Sequence, residues 1–203
     1  FPILQREVHG KPLVYLDSAN TAQKPAAVIE AIDDFYRHHN ANVSRAVHQL
    51  GAEATEAYEG ARRKIAAFFN IHADDLVLTS GTTQSINLVA YSFALPRLRK
   101  DDVILVTRME HHANMVPWQL IAERTGARIV PVEITAGGEI DLPALKAQLQ
   151  APVRILALSH VSNVLGTVNP VAQICDWARK AGVVTVIDGS QAAPHMAVDI
   201  PSL

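Results

Sequence analysis

Asp188 closes a continuous apolar stretch of the sequence, and its carboxylate is the first candidate for chemistry. Residues 183–187 are five apolar or β-branched residues without polar alternation, which predicts a strand buried on both faces of a parallel sheet. Open α/β folds bind ligands just beyond the carboxyl ends of such strands. Asp188 can therefore meet a ligand where the apolar strand keeps water away. The alternative is a local role, in which Asp188 caps the following turn.

A second polar segment, residues 80–83, lies where a predicted strand turns into a helix. Gly81 lets the backbone approach a ligand closely, and Thr82 and Thr83 add hydroxyl groups to the free N–H groups of a helix N-terminus. This combination suits a phosphate. The segment is not a P-loop, because no lysine follows the glycine at the required spacing. An ordinary threonine N-cap is the alternative.

Two more polar segments follow the next predicted strands. His111 offers a flat imidazole that can stack on a planar ligand or act as an acid or base near neutral pH. The alternatives are a helix cap by His112 or Asn114, or a metal pair, which lacks accompanying ligands at suitable spacing. Asn163 has both a hydrogen-bond donor and an acceptor, which suits a ligand carboxylate or ring oxygen. The alternative is that its side chain only stabilises the turn in which it lies. Together the four segments predict a pocket for a flat, phosphorylated heterocycle.

Composition limits the classes of protein that fit this sequence. The 203 residues suffice for one substantial α/β domain, and 49% hydrophobic residues are typical of a globular chain. A net charge of -2 gives no electrostatic reason to expect nucleic acid or an anionic membrane as a partner. We expect no membrane span and no secretory signal. The single cysteine, Cys175, suits the cytosol, and its register with Val171, Ile174 and Ala178 predicts an inert core position.

Apolar periodicity predicts a helical N-terminal arm over residues 1–70. One helix begins at Pro25, and a second runs from about Glu53 to Phe69 with Tyr58, Ile65 and Phe68 facing inward. Residues 71–203 then alternate regularly between strands and helices. The predicted strands cover residues 76–79, 103–106, 129–132, 155–158 and 183–188.

This alternation predicts an α/β fold, a three-layer arrangement of a mostly parallel sheet with helices on both faces. The predicted helices between the strands cover residues 82–93, 114–125, 141–149 and 170–181. Pro131 favours an edge or irregular position for its strand. Because the chain begins at Phe1 and stops soon after the Asp188 strand, we expect it to be part of a longer protein.

The motifs resemble those of group II cysteine desulfurases (SufS/CsdA type), which are fold-type I pyridoxal-phosphate enzymes of the class V aminotransferase family. The resemblance implies a truncated large domain, with residues 71–203 as part of the pyridoxal-phosphate-binding domain. The remainder of that domain and a C-terminal small domain would lie beyond the chain. The matching segments run in order through nearly the whole sequence: residues 15–19, 81–83, 86–87, 109–114, 116–118, 160–167 and 188–191.

The resemblance also implies how the cofactor, pyridoxal 5'-phosphate, would be held. Asp188 would pair with the pyridinium nitrogen and keep it protonated. His111, the implied catalytic residue, would stack on the ring. Thr82 and Thr83 would bind the phosphate, and Gln191 would contact the phenolic oxygen.

The implied substrate is L-cysteine, with L-selenocysteine as an alternative. Asn163 would bind the cofactor oxygen or the substrate carboxylate, and Arg45 would bind substrate at the mouth of the site. The implied activity converts L-cysteine to L-alanine and delivers persulfide sulfur to an acceptor protein for iron–sulfur cluster assembly. A homodimer is implied as well. From the sequence itself we expect a cytoplasmic protein without metal, nucleic acid or membrane as a partner.

The Schiff-base lysine and catalytic cysteine of these enzymes have no counterpart here, and Cys175 does not match the catalytic position. We therefore expect these 203 residues alone to be inactive and to bind the cofactor weakly. Two alternatives stay open. One is another fold-type I enzyme, such as a selenocysteine lyase, kynureninase or aminotransferase; the other is a non-catalytic scaffold with a degenerate fold.

Overall fold

The structure is a computed structural model that describes residues 1–150 and 152–203. The chain divides into two compact units, Phe1–Leu76 and Val77–Leu203. The predicted domains, 1–70 and 71–203, stay a prediction.

The first unit consists of short N-terminal elements and two longer helices. The antiparallel strands β1 (Glu7–Val8) and β2 (Lys11–Pro12) form a small hairpin. The helix α1 (Ala26–Asp34) begins one residue after the predicted start, with Pro25 as its N-cap, and continues into a π-helical turn. Its elements are a 3₁₀ turn Pro2–Gln5, β1 Glu7–Val8, β2 Lys11–Pro12, α1 Ala26–Asp34, the π-helical turn Phe35–His39, α2 Gln49–Phe68 and a 3₁₀ turn Ala73–Asp75.

The helix α2 begins one turn earlier than predicted. His48 is its N-cap, and Nδ1 of His48 accepts a hydrogen bond of 3.1 Å from the backbone N–H of Gly51. Histidine is not among the favoured N-cap residues, so this start of the helix could not be predicted from residue type.

The predicted inward positions of α2 are wrong for its large aromatic residues. Tyr58 is 40% exposed and Phe68 is 63% exposed, while Ile65 is half-buried. Small side chains let neighbouring backbone pack closely against a helix, and the buried residues of this helix are small. They are Gly51, Ala54 and Ala66.

The second unit is the α/β part of the chain. Its elements agree with the predicted alternation within a few residues at each end, except at 76–79. They are α3 Thr82–Val89 with a π-helical turn Ala90–Ala94, β3 Val103–Thr107, a 3₁₀ turn His112–Asn114, α4 Val116–Thr125, β4 Arg128–Val132, α5 Leu142–Gln148, β5 Val153–Ser159, α6 Val171–Lys180, β6 Val184–Asp188 and a 3₁₀ turn Ile200–Ser202.

Four strands form one parallel sheet in the order β4-β3-β5-β6. The predicted α/β class with a mostly parallel sheet is confirmed. The proline-containing strand β4 lies at an edge, as Pro131 indicated. Because all four strands run in the same direction, the loops that follow β3, β5 and β6 lie at one edge of the sheet.

Side chains alternate between two cores, one on each face of the sheet. Val103 and Leu105 face a cluster that includes residues of α5 and α6, whereas Ile104 and Val106 face residues of α3 and α4. Helices therefore cover both faces, as predicted. Cys175 is buried on α6, with Sγ 3.7 Å from Oγ1 of Thr185, which confirms its predicted core position.

Two strand predictions are wrong in part. Residues 76–79 form no strand in the structure; Val77 is 65% exposed and Leu78 is 41% exposed. β6 forms as predicted, but Val184 is 41% exposed rather than buried. Both differences have one cause: no described residue pairs with 76–79 or with the outer edge of β6. An unpaired segment does not become a strand, and an edge strand is only partly covered.

No helix among the described residues, 1–150 and 152–203, combines the length and the apolar character that crossing a bilayer requires.

Candidate functional site

Asp188 ends β6 and is 7% exposed. Ser190 donates two hydrogen bonds to Oδ1 of Asp188, from its backbone N–H at 2.9 Å and from its hydroxyl at 2.5 Å. Asp188 therefore does cap the turn that follows, as its alternative role required. Because both bonds from Ser190 reach Oδ1, they leave Oδ2 for a ligand.

The start of α3 lies beside this carboxylate. Oγ1 of Thr82 and Oγ of Ser190 are 2.8 Å apart, so one serine hydroxyl joins the helix N-terminus to Asp188. Gly81 is the N-cap, and no side chain caps the helix, so the alternative of a threonine N-cap is wrong. Thr83 lies exposed in the same first turn. The first N–H groups of a helix lack partners within it, so they can bind an anion here.

Gly81 has a backbone that only glycine adopts easily, with φ 148° and ψ 174°. A Cβ at this position would meet nothing within 4 Å, so the constraint is conformational and not steric crowding. We predict that Gly81→Ala lowers the free energy of unfolding by about 1–3 kcal/mol.

Urea denaturation of the variant measures this loss. The matched control is Gly60→Ala within α2, where a Cβ would meet only a side-chain nitrogen of Arg63 at 3.7 Å. That change should stabilise by roughly 0.5–1 kcal/mol, because alanine favours a helix. Equal effects of the two substitutions would contradict the strained conformation of Gly81.

His111 lies exposed directly before the 3₁₀ turn His112–Asn114. Its Nδ1 accepts a hydrogen bond of 3.1 Å from the backbone N–H of Ala113, so the cap is His111 itself and not His112 or Asn114. This bond fixes the imidazole orientation and leaves its Nε2 edge and its face accessible. The rings of His111 and His112 are nearly perpendicular, with centroids 6.0 Å apart. No three metal-ligating side chains of the described residues are grouped to hold an ion.

The remaining predicted site residues lie at three different places. Asn163 is exposed in a turn closed by the backbone bond from Gly166 N–H to Ser162 O, at 3.0 Å. Gln191 is half-buried and follows Ser190. Arg45 belongs to the first unit, where it is exposed and has a φ of 56°. The predicted contacts of all three with ligands stay predictions.

The sequence alone did not indicate a role for two residues of the site, Ser190 and Glu110. Ser190 joins Thr82 to Asp188, and only its position two residues after an aspartate hinted at this turn. Glu110 is a carboxyl that is 8% exposed between β3 and His111. Thr107, three residues before it, and Asn114, four residues after it, are polar residues that could have indicated a hydrogen-bonded carboxyl. Four hydrogen bonds reach Glu110, from the Thr107 hydroxyl, the Asn114 amide, and the backbone N–H and hydroxyl of Ser159.

Burial raises the pKa of Glu110 above its ordinary value, and the hydrogen bonds that it accepts offset only part of that rise. The folded state therefore keeps this proton to a higher pH than the unfolded state does. We predict that the contribution of Glu110 to stability is greatest in acid. It declines as the pH rises from the ordinary glutamate pKa, about 4.3, through the raised pKa.

Urea unfolding of the wild type and Glu110→Gln across this pH range tests the sign. The difference in unfolding free energy, wild type minus variant, should fall as the pH rises, because glutamine does not titrate. A difference that increases with pH would mean that the pKa of Glu110 is lowered.

Comparisons with known proteins agree with this geometry. A family model described as aminotransferase class-V matches residues 14–203. The chain belongs to this family. A probable cysteine desulfurase from Xylella fastidiosa (strain 9a5c) is 65% identical to this class-V chain over 203 residues, which are 100% of the chain and 49% of that protein.

Solved structures of cysteine desulfurases are similar in fold to this class-V chain. It matches an apo cysteine desulfurase from Thermococcus onnurineus NA1 with a TM-score of 0.90 and 34% identity, over 94% of this chain and 47% of that one. A cysteine desulfurase from Escherichia coli matches with a TM-score of 0.84 and 42% identity, over 92% and 47% of the two chains. The class-V chain spans about half the length of the curated relatives it matches.

Proposed function

We propose that this chain carries the cofactor-binding half of a cysteine desulfurase that uses pyridoxal 5'-phosphate. The observation that carries the proposal is the junction of Thr82, Ser190 and Asp188, where a helix N-terminus and a buried carboxylate are joined through one hydroxyl. The choice of reaction rests on relatives named cysteine desulfurase, one of them 65% identical over the full chain.

The residues of this edge fit pyridoxal phosphate in their chemistry. A Cβ at Gly81 would meet nothing within 4 Å, so there is open space beside the free N–H groups at the start of α3. Those groups and the Thr82 and Thr83 hydroxyls supply donors for a phosphate. Asp188 supplies a buried anion for a protonated ring nitrogen.

Each residue then has one task in the proposal. Asp188 holds a proton on the ring nitrogen, and Ser190 orients that carboxylate. Thr82 and Thr83 bind the phosphate, His111 covers one face of the ring, and Gln191 binds the phenolic oxygen. When bound, the cofactor supplies an electron sink for the bonds around the substrate α-carbon.

The substrate in this proposal is L-cysteine, and the residues proposed to bind it are Asn163 and Arg45. The substrate C–S bond breaks and an S–S bond forms with an enzyme thiolate, which yields L-alanine and a persulfide. Cys175 is buried in the core, so the proposal places the accepting thiol outside these 203 residues. A homodimer, a cytoplasmic location and sulfur delivery to an iron–sulfur assembly protein belong to the same proposal.

The direct test is a product assay on the full-length protein. L-cysteine should yield L-alanine and persulfide sulfur in equal amounts. Borohydride reduction followed by peptide mapping should find a pyridoxyl group on one lysine. A folded protein that forms no alanine and carries no modified lysine would overturn the proposal and favour a scaffold. Preferred turnover of L-selenocysteine would instead assign a selenocysteine lyase.

A further inference from the structure

The Glu110 carboxyl accepts four hydrogen bonds at this edge of the sheet. It contacts groups from three places: Thr107 at the end of β3, Asn114 at the end of the 3₁₀ turn, and Ser159 at the end of β5. The distances are 2.5 Å from the Thr107 hydroxyl, 2.7 Å from the Asn114 amide, and 2.9 Å from the Ser159 backbone N–H. Glu110 is 8% exposed, and each of its two carboxyl oxygens accepts at least one hydrogen bond from these protein groups.

Donor-only groups fix the direction of hydrogen bonding through this network. The Trp118 indole N–H can only donate, and it bonds to Oδ1 of Asn114 at 3.0 Å. The Asn114 amide nitrogen must then face Glu110, and it donates to Oε2 at 2.7 Å. The backbone N–H of Ser159 also can only donate, and it bonds to Oε1. Both carboxyl oxygens of Glu110 are therefore acceptors.

The hydrogen bonds of Glu110 connect two parts of the site: residues 111–114, which we call the His111 turn, and the strand that ends at Asp188. Glu110 immediately precedes His111, whose Nδ1 accepts from the backbone N–H of Ala113, and Asn114 closes this 3₁₀ turn. On the other side, Ser159 is paired in register with Asp188 across β5 and β6. Glu110 thus bonds both to the His111 turn, through Asn114, and to the end of β5, the strand beside Asp188.

We propose that Glu110 is a positioning residue that fixes the His111 imidazole relative to Asp188 by fastening the His111 turn to the end of β5. This inference rests on the proposed function, since it assigns the purpose of the fixed geometry to cofactor binding. His111 reaches the ring only if its turn is held, and the network holds that turn without placing a group of its own in the site.

The structure allows a sharp test, because the network can be broken and then rebuilt with the same number of atoms. In Glu110→Gln, one oxygen becomes an amide that donates. Near Asn114, the new glutamine NH₂ group would face the Asn114 amide donor, and near Ser159 it would face the backbone N–H. Either placement sets two donors against each other. The double variant Glu110→Gln with Asn114→Asp restores a donor–acceptor pair, since aspartate accepts from both Trp118 and the new glutamine.

The test uses the full-length protein, with Glu123→Gln on the exposed surface of α4 as the matched control. Amide hydrogen exchange at residues 111–114 reports on the turn without any cofactor. Visible circular dichroism of bound pyridoxal phosphate reports on the asymmetry of its surroundings. The rate constant kcat for L-cysteine is the third measurement.

We expect Glu110→Gln to speed exchange at the His111 turn, weaken the dichroism and lower kcat by about ten- to a hundredfold. The double variant should recover all three signals to near the wild type, and Glu123→Gln should change none. If Glu110→Gln does not fold, the double variant decides alone: wild-type exchange and dichroism support the inference, and altered values overturn it.

Two failures can be told apart. If the wild type forms alanine and persulfide but Glu110→Gln leaves the dichroism and kcat unchanged, the positioning role is wrong and the proposed function stands. If the wild type forms neither product, the proposed function is wrong, and the exchange data still decide whether Glu110 holds the turn. A lowered stability with unchanged dichroism would make Glu110 a structural residue only.

Discussion

Asp188→Asn is expected to lower the kcat of the full-length protein by about a hundred- to a thousandfold, a typical loss when one preorganised electrostatic group is removed. In the proposed function, the Asp188 carboxylate holds the proton on the ring nitrogen, whereas an amide carries no charge to do so. Asparagine still offers an oxygen to both hydrogen bonds from Ser190, so the turn should survive. Steady-state kinetics with L-cysteine measure the loss.

The control for this substitution separates chemistry from folding. Asp176→Asn removes a carboxylate of α6 that pairs with Lys180 on the surface, and it should leave kcat unchanged. Urea unfolding of Asp188→Asn should differ from the wild type by less than about 1.5 kcal/mol, since the Ser190 contacts remain. A folded Asp188→Asn protein with wild-type kcat would contradict the proposed role.

Trp118→Ala is expected to lower the free energy of unfolding by about 3–5 kcal/mol, the largest stability effect that we predict. The indole is fully buried in the cluster that joins the sheet to α3 and α4. Truncation leaves a cavity there. It also removes the N–H that donates to Asn114, so a buried amide oxygen loses its partner.

Trp177→Ala is the matched control, because it removes the same side chain from a different environment. Trp177 is only partly buried beside the other core and lies under the ammonium group of Lys146, 5.0 Å from the ring centroid. Its loss should be roughly half as costly as that of Trp118 or less. Equal losses in urea unfolding would show that burial and the Asn114 bond add nothing at Trp118.

The parallel sheet could be predicted from sequence because its central strands are governed by local pattern. β3 is buried on both faces, and its uninterrupted apolar run is the direct signature of that environment. The edges could not be predicted in the same way. Residues 76–79 and β6 have similarly apolar sequences, yet their burial depends on whether another strand lies beside them.

The candidate site shows the same division between local and long-range information. The predicted order of strands and loops was enough to expect Thr82 and Asp188 near one another, because each follows a predicted strand, although the one before Thr82 does not form among the described residues. Ser190 and Glu110 were missed because their roles depend on partners far away in the chain. The Thr82–Ser190 bond spans 108 residues, and the Glu110–Ser159 bond spans 49.

The most direct test of the central claim is the protonation state of the cofactor ring nitrogen in the full-length protein. Nitrogen-15 NMR of ring-labelled pyridoxal phosphate, bound to the wild type and to Asp188→Asn, measures it. A protonated pyridinium signal in the wild type and an unprotonated signal in the variant are the predicted result. An unprotonated signal in the wild type, or the same signal in both proteins, would contradict the assignment of Asp188 as the partner of the ring nitrogen.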